Sequence, residues 1–337
     1  MLGWQKFLQA REQALAAEGA PAKFAGSATV GLDHLGIPPA VDGDDLARLT
    51  AIVTRALADP AAFFARPQQP VFRRQGSMLN FDSPGGGNGQ NGTARARIYQ
   101  ARRRERAIVL LPYWNAPRSA ANPFGTLLAH CGVTCVQLSL PYHDERRTPG
   151  VAFARELVCE NLGLTIQANR QAVRDAGACV SWLEREGYAR IGIVGVSIGA
   201  SIASIVAAID KRVASAALLL IADDFADVVW SGSATRLVRA SLERRFTLEQ
   251  VRAAWSIISP ASHAGRLSER LERLLIVSGA LDTVFLPALT STYVERLRGL
   301  GLDPTWIRYG CGHYTLGLPF YAAPCFLRTL AHLRATL

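Results

Sequence analysis

The chain has 337 residues, of which 49% are hydrophobic and 8% aromatic, and these values exclude a disordered protein. Its formal net charge of +10 arises from 37 Lys and Arg against 27 Asp and Glu, and the two signs are interspersed along the chain. No nucleic-acid-binding motif accompanies this charge, so we expect no nucleic-acid partner. The length suits one large α/β domain with an extension.

The first seventy residues are alanine-rich and helical in pattern. Helices are predicted at 2–18 and 43–66, and Asp44 and Asp45 place negative charge where it favours the start of the second helix. The region is too short and too polar to form a core alone, so residues 1–70 are interpreted as a helical N-terminal extension packed on the main domain. Charged residues interrupt its apolar stretches, and we therefore expect no signal peptide.

From residue 71 the pattern changes to strands. Residues 71–81 and 93–101 are interpreted as two antiparallel strands, and the basic segment from Arg95 to Arg106 as a solvated hairpin turn. Apolar runs then alternate with helical patterns, including a long helical region at 152–187. This alternation is typical of a mostly parallel sheet with helices on both faces, an α/β fold. The apolar runs lie at 106–114, 133–143, 190–199, 214–222, 273–282 and 304–310.

The segment between the runs at 214–222 and 273–282 is longer than a simple crossover connection. It contains helical patterns, one of which begins with Thr247 and Gln250 in the spacing of a capping box. An insertion at this point lies over the C-terminal ends of the strands, where ligands bind in open α/β sheets. The sequence therefore predicts a small helical cap at about 223–262, within a main domain that spans 71–337.

The five residues GVSIG, centred on Ser197, lie at the junction of a predicted strand and a predicted helix. In this context G-x-S-x-G is typical of a nucleophile elbow, which raises the serine hydroxyl above the sheet edge. The flanking glycines are required because any side chain would collide with neighbouring backbone at so tight a turn. The alternative is a small packing residue between a buried strand and a buried helix.

Two further residues supply the acid and the base that a nucleophilic Ser197 requires. Asp282 comes just after a predicted strand, and His313 lies in a glycine-bracketed loop after the last predicted strand. A histidine titrates near neutrality, so it can take the serine proton and return it, while an aspartate fixes its tautomer. Asp223 and Asp224, which follow the preceding strand, are alternative acids.

The motifs GVSIG, GALDTVFLP and GCGHY occur in the order serine, acid, histidine. With these motifs in matching structural contexts, residues 71–337 resemble the α/β-hydrolase superfamily, in which this chain order is usual. The resemblance implies the α/β-hydrolase fold, with the insertion at the usual cap position. The N-terminal extension and the segment SLPYHDERR are more similar to dienelactone-hydrolase-like and acetyl-esterase-like members than to compact lipases.

The oxyanion of a tetrahedral intermediate needs two backbone N–H donors. Ile198, directly after the serine, is the first candidate. The resemblance implies the second, because aligning VLLPYWN with the family pattern VLLHGx places Trp114 at the donor position, with Pro-Tyr where His-Gly is usual. Tyr113 and His143 are candidate substrate-binding residues. His143 equally fits a satisfied polar residue beside Asp144, and the sequence leaves this choice open.

Together these residues predict a serine hydrolase that cleaves a carboxylic ester through an acyl-enzyme. A thioesterase, an acyltransferase or a cyclase would use the same triad. A peptidase has no specific support in the sequence. A non-catalytic ligand-binding protein on the hydrolase fold is a further alternative, but it places no demand on all three triad residues.

The expected partner is a small-molecule ester or thioester. No metal-ligand spacing and no nucleotide-binding motif occurs, so neither a metal nor a cofactor is expected. We expect no membrane span. The six cysteines contain no CxxC pair and suit buried reduced thiols, which favours a cytoplasmic protein.

Overall fold

The computed structural model describes residues 2–19, 26–39, 43–66, 70–86, 89–151 and 153–337. In this part of the chain nine strands form one sheet. They are β1 (Phe72–Gln75), β2 (Met78–Asp82), β3 (Thr93–Tyr99), β4 (Arg106–Leu111), β5 (Val133–Leu138), β6 (Arg190–Val196), β7 (Val213–Leu219), β8 (Leu274–Gly279) and β9 (Thr305–Tyr309).

The α-helices lie before the sheet, between its strands and after its last strand. They are α1 (Leu2–Gly19), α2 (Asp45–Ala58), α3 (Pro60–Phe63), α4 (Asn122–His130), α5 (Leu162–Arg185), α6 (Ile198–Ile209), α7 (Phe225–Ser231), α8 (Arg236–Leu242), α9 (Leu248–Trp255), α10 (Ala264–Ser268), α11 (Pro287–Gly299) and α12 (Pro319–Thr336).

The strands follow the order β1-β2-β3-β5-β4-β6-β7-β8-β9 across the sheet. The first three are antiparallel to their neighbours, and β4 to β9 are all parallel to one another. Parallel strands require crossover connections, and helices provide them here. All carboxyl ends of the parallel strands therefore meet at one edge of the sheet.

The central strand β4 shows how the sheet separates two hydrophobic layers. Ala107, Val109 and Leu111 join the cluster that contains buried residues of α5 and α6, whereas Ile108 and Leu110 join the cluster of α4 and α12. Successive side chains of a strand point to opposite faces, so an apolar strand serves both layers. The predicted mostly parallel sheet with helices on both faces is confirmed.

The first predicted strand, 71–81, is a hairpin and not one strand. Its chain reverses at Gly76, whose φ of 59° is in the left-handed region that glycine adopts without steric cost. The strands β1 and β2 then pair in antiparallel register, with Gln75 opposite Met78. The apolar and polar pattern of the segment does not distinguish one long strand from two short ones.

The prediction of a hairpin turn in the basic segment from Arg95 to Arg106 is wrong. β3 and β4 are consecutive in the chain, but β5 lies between them and pairs with both. Residues 102–105 form an exposed bend that carries the chain across β5. The segment is solvated, as expected, but the two strands that it connects do not pair with each other.

The long helix predicted at 152–187 starts later in the structure. α5 begins at Leu162, after Asn161, whose side chain accepts the backbone N–H three residues further on at 2.8 Å. Such a side-chain cap satisfies an N–H that has no acceptor within the helix. Arg155–Leu157 forms only a short 3-10 turn, and residue 152 lies outside the described residues.

The predicted helix at 43–66 is divided into α2 and α3. Asp44 caps α2, because its side chain accepts two backbone N–H groups at 2.9 and 3.1 Å. Asp59 caps α3 in the same way, and Pro60 stands at the first position of α3, where its missing N–H is no loss. Parts of the extension 1–70, including 20–25, lie outside the described residues.

The described helices of the extension pack on the main domain. Leu49 and Val53 of α2 are buried in the larger hydrophobic cluster, and α2 contacts α9. α1 contacts two short turns, Ser233–Thr235 of the insertion and Thr315–Gly317 after β9. The second of these turns belongs to the loop that carries the predicted base.

The insertion predicted at 223–262 contains α7, α8 and α9. The capping box at the start of α9 is confirmed, because the Thr247 hydroxyl accepts the Gln250 N–H and the Gln250 side chain accepts the Thr247 N–H. Phe225 of α7 packs edge-on against Trp255 of α9, with ring centroids 5.6 Å apart. Both residues belong to the larger hydrophobic cluster, so the insertion shares the main core.

α7 lies at the edge of the sheet where the parallel strands end. Val228 packs with Ala222, which follows β7, and with Val284 and Phe285, which follow β8. Tyr314, in the loop after β9, packs against the same small cluster. The insertion therefore covers the loops that carry the predicted acid and base.

Two bulk features complete the description. The six cysteines are free thiols, five of them buried and Cys131 partly exposed. Burial raises the pKa of the Cys311 thiol to about 12, so this thiol beside the predicted base stays protonated at neutral pH. None of the described helices is apolar over a length that would cross a bilayer.

Candidate active site

Ser197 stands alone between β6 and α6 in a strained conformation. Its φ of 58° and ψ of −123° lie outside the regions that L-residues adopt freely. Its N–H donates to the carbonyl of Leu219 on β7 at 2.8 Å, which fixes the turn to the neighbouring strand. The backbone of this turn therefore places the side chain at the carboxyl edge of the sheet.

The two glycines of GVSIG are required by close backbone contacts. A Cβ on Gly195 would lie 2.2 Å from the carbonyl oxygen of Gly199. A Cβ on Gly199 would lie 2.4 Å from the carbonyl oxygen of Leu111, the last residue of β4. Carbon and oxygen atoms cannot approach so closely, so both positions exclude larger residues. The structure thus confirms the reason predicted from the sequence for these glycines, which is that a side chain would collide with neighbouring backbone.

His313 and Asp282 lie beside Ser197. The loop after β9 brings His313 Nε2 to 2.9 Å from Ser197 Oγ, and the loop after β8 brings Asp282 Oδ2 to 2.9 Å from His313 Nδ1. An ionised aspartate can only accept, so Nδ1 carries the ring proton and Nε2 is left to accept the serine hydroxyl. The structure thus brings the three predicted residues together in one hydrogen-bonded line.

The Asp282 carboxylate is itself fixed by backbone donors. Its Oδ1 accepts the N–H groups of Val284 and Phe285, both at 2.8 Å, and only 2% of the side chain is exposed. Phe285 then stacks on the His313 ring with centroids 5.2 Å apart. One short loop therefore holds the acid, orients the imidazole and shields both from water.

The triad is largely shielded from solvent. Ser197 is 5% exposed and the His313 side chain 9%. Tyr314 packs edge-on against the imidazole, and burial raises the pKa of its phenol to about 12. Low exposure strengthens every charge interaction in the site, including the attraction between an imidazolium and the Asp282 carboxylate.

The two alternative acids are committed elsewhere. Asp223 forms a two-pronged ion pair with Arg296 of α11, with N–O distances of 2.7 and 2.8 Å. Asp224 caps α7 through the N–H groups of Ala226 and Asp227. Neither carboxylate contacts the histidine, so the structure offers Asp282 as the partner of the base.

The predicted oxyanion donors belong to the elbow itself and to the loop after β4. Ile198 is the first residue of α6, where N–H groups have no acceptor within the helix. Trp114 lies in the loop after β4, and its indole N–H donates to the carbonyl of Ala154 at 2.8 Å. Asn115 beside it has a φ of 60° and accepts the Ala154 N–H through its side chain at 2.7 Å. The roles of both backbone donors stay predictions.

The structure favours the second of the two sequence interpretations of His143, that of a satisfied polar residue, and its role in substrate binding stays untested. Its side chain is 1% exposed, Nδ1 lies 2.9 Å from the carbonyl of Pro141, and Nε2 accepts the N–H of Asn115 at 2.8 Å. Burial lowers the pKa of this histidine to about 4, so the ring is neutral. It is a satisfied polar residue that supports the loop of Trp114.

Tyr113 differs from His143, because 41% of it is exposed beside the elbow. Its role as a substrate-binding residue stays a prediction. One residue at the site was missed altogether: Glu12 of α1, whose carboxylate accepts N–H groups of the histidine loop. No local signal marks it, because it is one charged residue in a helix about three hundred positions before the residues it contacts.

The comparisons with known proteins agree with this architecture. Residues 119–259 match the profile of the family described as "Alpha/beta hydrolase domain containing 18". A search of curated protein sequences finds no match. The resemblance of this chain to the α/β-hydrolase superfamily is confirmed at the level of the fold.

Three solved structures show the likeness. An acetyl xylan esterase from Paenibacillus sp. R4 is 15% identical with a TM-score of 0.61, over 91% of this chain and 99% of that one. A puromycin-hydrolyzing peptidase of Mycobacterium tuberculosis is 16% identical with a TM-score of 0.60, over 80% and 39%. An acylaminoacyl peptidase of Pyrococcus horikoshii is 12% identical with a TM-score of 0.57, over 80% and 42%. This chain therefore spans about two fifths of the two peptidases.

Proposed function

We propose that this chain, which has the α/β-hydrolase fold, is a serine hydrolase that cleaves a carboxylic ester through an acyl-enzyme. The observation that carries the proposal is the pair of 2.9 Å contacts that joins Ser197, His313 and Asp282. Two loops and a strained turn meet to form this line, and a role confined to packing would not require it. The spacing and tautomer are those that a nucleophile and its general base need.

In the proposed first half-reaction the Ser197 oxygen attacks the ester carbonyl carbon. Its proton passes to His313 Nε2 as the new C–O bond forms, and the negative Asp282 stabilises the imidazolium. When the tetrahedral intermediate collapses, the bond to the alcohol oxygen breaks and Nε2 returns the proton to it. The alcohol leaves and the acyl group stays on the serine.

In the second half-reaction water takes the place of the alcohol. His313 removes a proton from the water as it attacks the acyl-enzyme, and the same proton then restores the serine hydroxyl. In both halves the oxyanion is assigned to the backbone N–H groups of Ile198 and Trp114. Removal of one such donor lowers kcat by about 10²- to 10³-fold in a serine hydrolase, so each of the two groups would contribute substantially to the proposed catalysis.

An ester is preferred to an amide on two counts. The solved esterase is matched over nearly its whole length, whereas the peptidases extend well beyond the matched region. Within the described part of the chain, Ser197 and His313 contact no cationic side chain and no acid other than Asp282 that could anchor a peptide terminus. A thioesterase, acyltransferase or cyclase keeps the same first half-reaction and differs only in the acyl acceptor.

The proposal is tested by pre-steady-state hydrolysis of p-nitrophenyl acetate. We expect a burst of p-nitrophenol equal to the enzyme concentration, which Ser197→Ala abolishes. Ser204→Ala is the matched control, because the Ser204 hydroxyl donates to the Ser201 carbonyl in α6 at 2.8 Å and has no role in the proposed reaction. A steady-state rate that Ser197→Ala leaves unchanged would contradict the proposal.

The same assay separates the alternatives. Added alcohol or amine acceptors that capture most of the acyl group would indicate an acyltransferase, and a faster thioester than oxygen ester would indicate a thioesterase. Turnover of aminoacyl p-nitroanilides above that of esters would indicate a peptidase. The cytoplasm is our proposed compartment, supported by the buried thiols of the chain.

A further inference from the structure

Glu12 is a buried carboxylate on a helix whose neighbouring side chains are exposed. It is 1% exposed, whereas Arg11 and Gln13 on either side of it face solvent. Leu8, one helical turn earlier, is also 1% exposed and lies on the same face of α1. An ionisable group is buried so fully only when partners compensate for its lost hydration.

The partners of Glu12 all belong to the loop that carries the histidine. Its carboxylate oxygens accept the Tyr314 N–H at 3.1 Å, the Thr315 N–H at 3.1 Å and the Thr315 hydroxyl at 3.2 Å. The Thr315 hydroxyl in turn accepts the Gly312 N–H at 2.7 Å. One carboxylate therefore organises the backbone on both sides of His313.

Gly312 is shaped by the same carboxylate. A Cβ at this position would lie 2.3 Å from Glu12 Cδ and 2.4 Å from Oε2. No local pattern in the sequence explains the glycine before His313. The structure gives the reason, because the glycine admits the Glu12 side chain against the loop.

The negative charge of Glu12 supports the same role as its hydrogen bonds, because both act on the loop that carries His313. Burial raises its pKa, and the two backbone N–H groups and His313 oppose that rise. The N–H groups of Tyr314 and Thr315 can only donate, so these two contacts favour the ionised form. A fixed negative charge behind the loop also favours the imidazolium that forms when Ser197 gives up its proton.

We propose that Glu12 is a positioning residue of the active site: through the Gly312–Thr315 loop it holds His313 in register with Ser197. α1 is then part of the working site, although it lies outside the hydrolase domain in sequence. The proposal rests on the proposed function, because it assigns His313 the role of general base. A displacement of about 1 Å at a catalytic group can lower kcat about 10²-fold, which sets the expected scale.

The test compares Glu12→Gln and Glu12→Ala with Gln13→Ala as the matched control on the exposed face of α1. With p-nitrophenyl acetate we expect kcat to fall about 10- to 100-fold in both Glu12 variants, with KM within about twofold of wild type. The amide introduced by Glu12→Gln keeps the size of the side chain but removes its charge. A kcat within twofold of wild type in folded Glu12→Gln would overturn the proposal.

Coupling between Glu12 and Gly312 gives a second measurement. Gly312→Ala should lower kcat strongly in the wild-type background, because the new methyl group displaces the Glu12 side chain. In the Glu12→Ala background the same change should cost less, so the two effects should not multiply. Independent effects in this cycle would contradict the assigned contact.

Hydrogen exchange separates failure of this proposal from failure of the proposed function. The amides of Tyr314 and Thr315 should exchange at least tenfold faster in Glu12→Gln than in wild type, and this readout needs no activity. If the wild type cleaves no ester but Glu12→Gln still shows this faster exchange, the proposed hydrolase function would be refuted and the contact of Glu12 with the loop would stand. If the wild type is active and exchange in Glu12→Gln is unchanged, only the positioning role of Glu12 would be refuted.

Discussion

Asp282 and His313 meet through a single hydrogen bond of 2.9 Å, between Oδ2 and Nδ1, while the other oxygen of the aspartate is bound by backbone. The two ends of the carboxylate thus have different tasks: Oδ1 anchors the acid to its own loop and Oδ2 orients the imidazole. Because the anchor is independent of the histidine, the charge can be removed without displacing the loop.

Asp282→Asn should therefore lower kcat strongly while the protein stays folded. An amide N–H at the position of Oδ2 would donate to Nδ1 of His313, so the ring proton would move to Nε2. Nε2 could then no longer accept the serine hydroxyl, and we expect kcat to fall about 10³- to 10⁴-fold. Asp223→Asn is the control, since that residue pairs with Arg296 and not with the histidine. Comparable losses of kcat in the two variants would contradict the assignment of the acid.

Gly195→Ala should destabilise the elbow. Its methyl group would lie 2.2 Å from the Gly199 carbonyl oxygen, and overpacking of this kind costs about 1–3 kcal/mol or more. Gly265→Ala, in α10, meets no atom within 4 Å and should be neutral or stabilising by up to about 1 kcal/mol. Urea denaturation of both variants measures the difference, and equal midpoints would refute the steric argument.

His143 should make folding stability depend on pH. Its pKa is lowered to about 4 by burial, below the ordinary value, so the stability it contributes is present above pH 6.5 and is lost as pH falls towards 4. Wild type should lose about 2 kcal/mol more than His143→Gln between about pH 7 and pH 5. Glutamine suits the comparison because it can accept the Asn115 N–H and donate to Pro141 without titrating. Parallel stability curves for the two proteins would contradict the prediction.

Asp175→Asn should lower the free energy of unfolding, because Asp175 is a partner in a buried ion pair and not part of the triad. Asp175 and Arg146 are both fully buried and lie 2.8 Å apart, and the Ser83 hydroxyl donates to the same carboxylate at 2.6 Å. Removal of one partner leaves an uncompensated charge in the core, which costs about 3–5 kcal/mol. The exposed pair of Arg73 and Asp82 provides the control, as Asp82→Asn should cost less than about 1 kcal/mol. Similar losses in the two variants would show that burial does not decide the effect.

Local patterns predicted most of the sheet and the three residues that meet at its edge. The buried strands are continuous apolar runs, and Ser197, Asp282 and His313 each follow such a run, so the parallel topology alone brings them to one edge. The choice between Asp282 and Asp223 needed the structure, because both follow a strand and only the structure shows the Arg296 pair.

What the sequence did not reveal is contact between distant segments. The neighbour of β3 is β5 and not β4, and nothing in the apolar period of a strand identifies its partner. His143 has the same local pattern whether it faces a substrate or the Asn115 N–H. Glu12 belongs to the site only because α1 docks there, and the residues that receive it lie at the other end of the chain.

The most direct test of the account is reaction with a fluorophosphonate, followed by mass spectrometry of the modified peptide. We predict one label per chain, attached to Ser197, absent from Ser197→Ala and formed far more slowly in His313→Ala. Such a result would require a serine activated by its histidine. A folded wild type that remains unlabelled, or one that carries the label on another residue, would contradict the central claim that Ser197 is a nucleophile.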